Sequence, residues 1–185
     1  WRTRVISPNL MALAEAGWSQ EGWGAENRPA GVAPDLAGLG GQRADYANNP
    51  IAQAAGNERL YQTCRYGDMA YSLQIPNGTY DVTLCFAEVH YEAPGKRVFG
   101  AKINGRTVID RLDVFAEVGK NQALNRTFKG IEVKDGRLQI EFLPIVEFPF
   151  VAGIVVDGQA AASAEAAAHP YRRQIDCGGA GGNGI

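Results

Sequence analysis

The residues of this chain that could do chemistry are two histidines, a few carboxylates and three cysteines. His169 sits among small residues just before Pro170 and reads as solvated. His90 lies in "FAEVHYEAPGKRVF", residues 86–99, with no nucleophile motif such as G-x-S-x-G beside it. No set of nucleophile, base and orienting group is therefore assembled. Glu88 and Glu147 each close an apolar run. A pair of carboxylates can cleave a glycosidic bond, so these two are the candidates for a glycosidase reading. The commoner role for such a residue is a strand-end carboxylate that accepts hydrogen bonds from backbone or from an arginine.

Cys64, Cys85 and Cys177 form an odd set with no C-x-x-C spacing, which speaks against a disulfide scaffold and a zinc site. Cys85 alternates with strand residues and reads as a small buried hydrophobe. A Cys64–Cys177 bridge is compatible with the sequence, but nothing calls for one. "CGGAGGNG", 177–184, is glycine-rich but lacks the G-K-[ST] of a phosphate loop. "NGT" at 77–79 and "NRT" at 125–127 match glycosylation acceptors, and the first is already accounted for as a turn. Metal-ligand spacing is absent, so no cofactor is expected; a structural calcium on loop carboxylates stays compatible with the sequence.

What remains is aromatic. Tyr46, Tyr61, Tyr66, His90 and Tyr91 all fall in or near connections. A sugar presents C–H patches on one face and hydroxyls at its edge. Aromatic rings pack on the first, and carboxylates and amides bind the second. Loop aromatics plus an acid fit a carbohydrate site. Taken singly, each tyrosine is more often a core-edge residue.

The elements that would position these side chains are strands. "MAYSLQI" places Met69, Tyr71, Leu73 and Ile75 on one face. "PNGTYDVTLCFAE" opens with an Asn77-Gly78 turn and then places Tyr80, Val82, Leu84 and Phe86 on one face, a period of two. Asn104-Gly105 separates two strand-like runs, the strongest short hairpin signal. Asp135-Gly136 repeats the device before Leu138, Ile140 and Phe142. "FVAGIVVDG" is almost wholly apolar and suits a central strand covered on both faces. Many short strands joined by polar turns predict an all-β fold, an antiparallel β-sandwich. Residues 1–57 read instead as long loops with one short helix over 9–17, capped by Asn9 and stopped by Gly17. Trp18 and Trp23 lie in that zone.

The 185 residues suit one domain or a domain with a tail. A net charge of -2 leaves no basic footprint for nucleic acid. No apolar run is long enough to span a membrane. The chain starts at Trp1 and reads as a fragment, so a leader is not expected to be visible in it. Residues 1–157 read as the domain, 158–170 as a linker of small residues, and 171–185 as a strand-like segment that looks like the opening of something.

The combination "LYQT-x-RYG", "F-A-E-x-x-Y" and "K-R-V-F-x-x-x-I-N-G", in that order, resembles the malectin domain family. The resemblance covers roughly residues 43–157 and extends to bacterial relatives known as carbohydrate-binding module family 57. It implies a jelly-roll-like sandwich that binds glycans without catalysis, its partner an oligo- or polysaccharide. It also implies attachment to a larger carbohydrate-active enzyme or envelope protein, and a secreted, periplasmic or cell-surface location. It assigns the sugar site to Tyr46 in "RADYANN", Tyr66 in "RYG", His90 and Tyr91 after "FAEV", and Glu147 in "VEFPF". Two of these depart from the family pattern, histidine for tyrosine at position 90 and glutamate for aspartate at 147. The family's opening strand, of the form R-I-N-C-G-G, is matched by "RRQIDCGG" at 172–179. That leaves open a second tandem malectin domain, a permuted first strand, or a strand-swapped dimer. The alternative function is a structural or protein-interaction sandwich that has lost its sugar site.

Overall fold

The computed structural model describes residues 40–160 and 171–176. The helix expected over 9–17, Trp18, Trp23, His169, Cys177 and the glycine-rich tail lie outside the described residues. Within them the chain is an antiparallel β-sandwich closed at one end by a third, smaller sheet.

One four-stranded sheet is ordered β11 (Tyr171–Asp176), β10 (Gly153–Ala160), β4 (Gly78–Phe86), β7 (Leu124–Val133). The facing one runs β3 (Ala70–Gln74), β8 (Arg137–Val146), β5 (Val98–Ile103), β6 (Arg106–Leu112). The small sheet is β1 (Gln42–Asp45), β2 (Thr63–Tyr66) and β9 (Phe150–Val151). Two short helices interrupt the strands, α1 (Glu58–Tyr61) and α2 (Val114–Val118).

The period-two alternation sets the core. Tyr80, Val82, Leu84 and Phe86 of β4 are fully buried, and so are Leu138 and Ile140 of β8. They pack with Met69, Tyr71, Leu73, Ile75, Phe99 and Phe142 as one cluster between the sheets. Three phenylalanines form its centre: Phe86, Phe99 and Phe150 lie with ring centroids 5.6–5.9 Å apart in tilted and edge-on pairs, the arrangement the ring quadrupole favours. Cys85, the next residue on β4 after Leu84, necessarily points the other way. It is buried as the sequence suggests, but in a second cluster with Ile51, Leu60, Tyr61, Ala87 and Ala152 on the outer face of that sheet. This second cluster is why the first half of β10 reads as apolar on both faces. Ile154 and Val156 face the main core while Val155 packs toward the outer one.

The turns divide by geometry. Asn104 (φ 48°) and Gly105 (φ 76°) are both left-handed, the type I′ hairpin that joins β5 to β6. The Asn104 side chain also donates to the Glu132 carbonyl and accepts from the Gln139 amide, both at 2.9 Å. Asp135-Gly136 joins β7 to β8, strands of opposite sheets. Asn77-Gly78 also carries the chain across, from β3 to β4, and Asn77 Oδ1 accepts from the Gly136 amide at 2.7 Å. The two crossings are thus bonded to each other.

The zone before residue 58 is less irregular than expected. Gln42–Asp45 is a strand, paired Gln42 to Tyr66 through Asp45 to Thr63. "QRAD" has no apolar alternation, because an edge strand of a small sheet has little core to face. At the other end, β10 runs to Ala160, and β11 pairs antiparallel along it from Gly153↔Asp176 to Gly158↔Tyr171.

Candidate functional site

The stretch after Phe86 leaves the sheet at Ala87, and Glu88 sits at that exit. Its carboxylate is 2 % exposed and faces Arg97, 11 % exposed, at 3.2 Å. Glu88 Oε1 also accepts from the backbone amides of His90 at 2.9 Å and Tyr91 at 3.0 Å. One carboxylate therefore folds the chain around itself and fixes where the two rings go. A buried charge needs this degree of pairing to be tolerated. Glu88 is thus the strand-end acceptor of backbone and arginine hydrogen bonds. Its oxygens are enclosed and offer no route to a substrate.

Arg97 is the other half. It precedes the first residue of β5, and its guanidinium carbon lies 4.8 Å from the centroid of the Tyr91 ring and 4.7 Å from that of Phe150. At these distances the cation is attracted by both π faces. Phe150 thus serves two sides, the core through Phe86 and Phe99 and the site through Arg97. His90 stands against Tyr91 edge to face, with centroids 4.7 Å apart. The His90 side is exposed and Tyr91 half-buried.

The small sheet brings the earlier tyrosines to the same end. Tyr66 is opposite Phe150 in the β2–β9 pairing, and residues directly opposite project from the same face. Its hydroxyl donates to Gln42 Oε1 at 2.8 Å. Tyr46 follows β1 directly and is half-buried where the two hydrophobic clusters meet. Burial pushes its phenol up. The nearby Cys64, Glu88 and Tyr66 add to the rise and Arg97 opposes it. Tyr46 therefore lies within electrostatic reach of the Glu88–Arg97 pair and of Tyr66. Just before it, Asp45 is held by Arg59 of α1 through two hydrogen bonds, 2.8 and 2.7 Å, and Tyr46 N donates to the Gln62 carbonyl at 2.7 Å. Tyr46 enters the site from a clamped backbone.

Glu147 reaches the rim by a different device. Glu147 directly follows Val146, the last residue of β8, which pairs with Val98 at the start of β5. Its backbone is left-handed, φ 60°, where a residue with a Cβ is strained. The kink takes the chain from β8 in one sheet to β9 in another. Glu147 is exposed, and among the described residues its carboxylate accepts only from the adjacent Phe148 amide, at 3.4 Å.

Tyr46, Tyr66 and Tyr91 thus gather about a buried Glu88–Arg97 pair, and His90 and Glu147 stand at the exposed edge. Tyr61 does not join them. It is buried in the outer cluster, its hydroxyl 2.9 Å from Asn125 Oδ1, and burial pushes that phenol up to about 12. Among the described residues no three His, Cys, Asp or Glu side chains gather as a metal site.

A family model described as "Malectin domain" matches residues 33–153. The chain belongs to the malectin domain family. Malectin-B of Xenopus laevis is 34 % identical over a 111-residue alignment that covers 57 % of this chain and 40 % of that protein. Human malectin is 31 % identical over a 111-residue alignment that covers 57 % of this chain and 38 % of its own length. The chain thus spans about two fifths of the curated malectins it matches. Among solved structures, a β-glucuronidase of Bacteroides uniformis superposes with a TM-score of 0.57 at 27 % identity, over 64 % of this chain and 14 % of that enzyme. The plant receptor-like kinase ANX2 gives the same TM-score at 20 % identity over 65 % of this chain and 38 % of its own, a likeness of fold alone.

Within this malectin domain, sequence reasoning overlooked Arg97. Its signal was present: a charged residue directly ahead of "VFGAKI", whose remaining members are nearly all buried. Such a side chain must be paired or must lie at the sheet's rim, and here it does both.

Proposed function

We propose that this malectin domain is a non-catalytic carbohydrate-binding module whose sugar lies against Tyr46, Tyr66, His90 and Tyr91, with Glu147 accepting hydroxyl hydrogen bonds at the edge. The observation that carries the reading is the gathering of three tyrosines about one buried ion pair, in a chain of this family. Glu88 and Arg97 fix the rings and keep their own charges satisfied. The rings then present apolar faces at low entropic cost, the feature that makes aromatics effective platforms. His90 and Glu147 supply polar atoms where solvent can reach, so they set which hydroxyl pattern is accepted.

The domain reading extends this. Residues 1–157 form the module, and 171–176 contribute its outermost strand beside β10, supplied in cis or exchanged with a neighbour. The likeness to a small part of a β-glucuronidase supports a module appended to a larger carbohydrate-active enzyme or envelope protein. A secreted, periplasmic or surface location suits such a parent. No helix among the described residues is long and apolar enough to cross a membrane.

A glycan array followed by calorimetric titration tests the reading. Binding to at least one glucan, galactan or host glycan is expected, and Tyr66→Ala and Tyr91→Ala should each weaken it at least tenfold, the worth of roughly 1.4 kcal/mol. A chain that binds no glycan would refute the function. Binding that survives both substitutions would refute the site.

A further inference from the structure

Among residues 40–158 three large hydrophobic side chains are exposed, and all lie within four positions: Ile145 (43 %), Val146 (40 %) and Phe148 (48 %). They bracket Glu147. The cause is visible in the pairing. Phe99 faces Pro144 and Val98 faces Val146, so Ile145 is an extra residue, a bulge. Bulges bend a strand and re-aim its side chains. The left-handed turn at Glu147 follows at once. Then Gly67 N donates to the Pro149 carbonyl at 3.0 Å and Phe150 pairs with Tyr66. Phe148 therefore stands two residues ahead of Phe150, on the approach to β9.

An exposed aromatic at nearly half its surface carries an unfavourable contact with water. Here it accompanies a strained backbone, and such strain concentrates at ligand sites. A patch meant for a protein partner would extend further. This one is short, has a single ring, and holds at its centre the carboxylate of Glu147, which the sugar-binding reading already uses. Those properties suit one more sugar unit, stacked on a ring with its hydroxyls toward an acid.

We propose that Phe148, flanked by Ile145 and Val146, is an outer subsite that stacks the third sugar residue of a glycan chain whose first two residues fill the Tyr46–Tyr66–Tyr91 site. The proposal rests on the sugar-binding reading above and deepens it: the ligand is an oligosaccharide rather than a terminal monosaccharide or disaccharide. The carboxylate of Glu147 then lies between the two subsites and serves both.

The experiment is calorimetry of the full chain with malto-, cello- and galacto-oligosaccharides of increasing length, from disaccharide upward. Wild type, Phe148→Ala and Phe148→Trp are compared. Wild-type affinity should rise with length in the series it recognises. Phe148→Ala should flatten that rise, a loss of roughly five- to tenfold for the longer sugars, the worth of about one ring contact. Its disaccharide affinity should not change, and Phe148→Trp should keep the length dependence. Thermal melting should be the same for all three, since the ring is exposed. If Phe148→Ala keeps the wild-type rise, the outer subsite does not exist. If it weakens the disaccharide as much as longer sugars, Phe148 belongs to the inner site and the subsite is refuted. If wild type binds no sugar of any length in these series or on the array, the sugar-binding reading falls, and this proposal with it.

Discussion

Glu88 and Arg97 meet at 3.2 Å beneath the Tyr91 ring, and the same carboxylate accepts the amides of His90 and Tyr91. The pair is nine residues apart in sequence and closes the loop between β4 and β5. A buried ion pair of this kind adds little net stability compared with apolar packing. Breaking one half of it is costly because the other charge is left buried.

The first prediction follows. Glu88→Ala should destabilise the domain by about 3–5 kcal/mol, read from urea unfolding. Glu88→Gln keeps an acceptor for the two amides and should cost less. Equal losses for the two variants would mean that charge alone, and not the folding of residues 88–91 around the carboxylate, sets the energetics.

Glu147 carries the second. Its φ of 60° suits glycine better than glutamate. Glu147→Gly should leave stability unchanged or raise it by up to about 1 kcal/mol, while weakening glycan binding. A clear fall in melting temperature would show that the left-handed turn is held by the side chain and is not strained.

A third concerns acid. The Arg59 guanidinium holds the Asp45 carboxyl below its usual 3.8. A carboxyl whose folded pKa is depressed stabilises the native state above its unfolded pKa, and that contribution is lost as pH falls through the folded value. Asp45 is partly exposed, so the contribution is at most about 1 kcal/mol. Asp45→Asn should therefore melt below wild type near neutral pH, and the gap should close as pH falls through the depressed folded value of Asp45. A gap that persists unchanged in acid would assign the loss to packing.

The fourth concerns the thiols. Burial pushes Cys64 and Cys85 up from 9.0 to about 12. The thiolate is the reactive species, so both should alkylate about a thousandfold more slowly than a free thiol at mildly alkaline pH. Peptide mapping after iodoacetamide treatment should find them labelled only in denaturant. Rapid native labelling at either would place it outside the core.

The sandwich was legible because its strands bury alternate residues, and the faces Met69–Ile75, Tyr80–Phe86 and Leu138–Phe142 were read off directly. The helices were not. Glu58–Tyr61 and Val114–Val118 are each about one turn long, too short for a 3.6-residue pattern to emerge. Only Asp113, which caps the second by accepting from the Ala116 amide at 2.9 Å, gave a local cue. The small sheet was equally hidden, since β9 is two residues long and β1 has no apolar face. For the candidate site, family likeness named the rings, but the Glu88–Arg97 pair is a contact across a nine-residue loop with no periodic pattern to reveal it. Arg97 could be suspected only from its place at the head of a buried strand.

The position of Phe150 divides the site into parts that can and cannot change. Its ring packs edge-on with Phe86 and Phe99 in the core and also lies under Arg97. Remodelling the floor of the site at Phe150 would open a cavity in the sandwich, at about 3–5 kcal/mol for a full truncation, which is a large part of what such a domain has. His90, Glu147 and Phe148 carry no such load. On the proposed sugar-binding reading, new ligand preferences are open to drift at these three rim positions while the floor stays fixed, so the domain is evolvable at its edge and locked at its base.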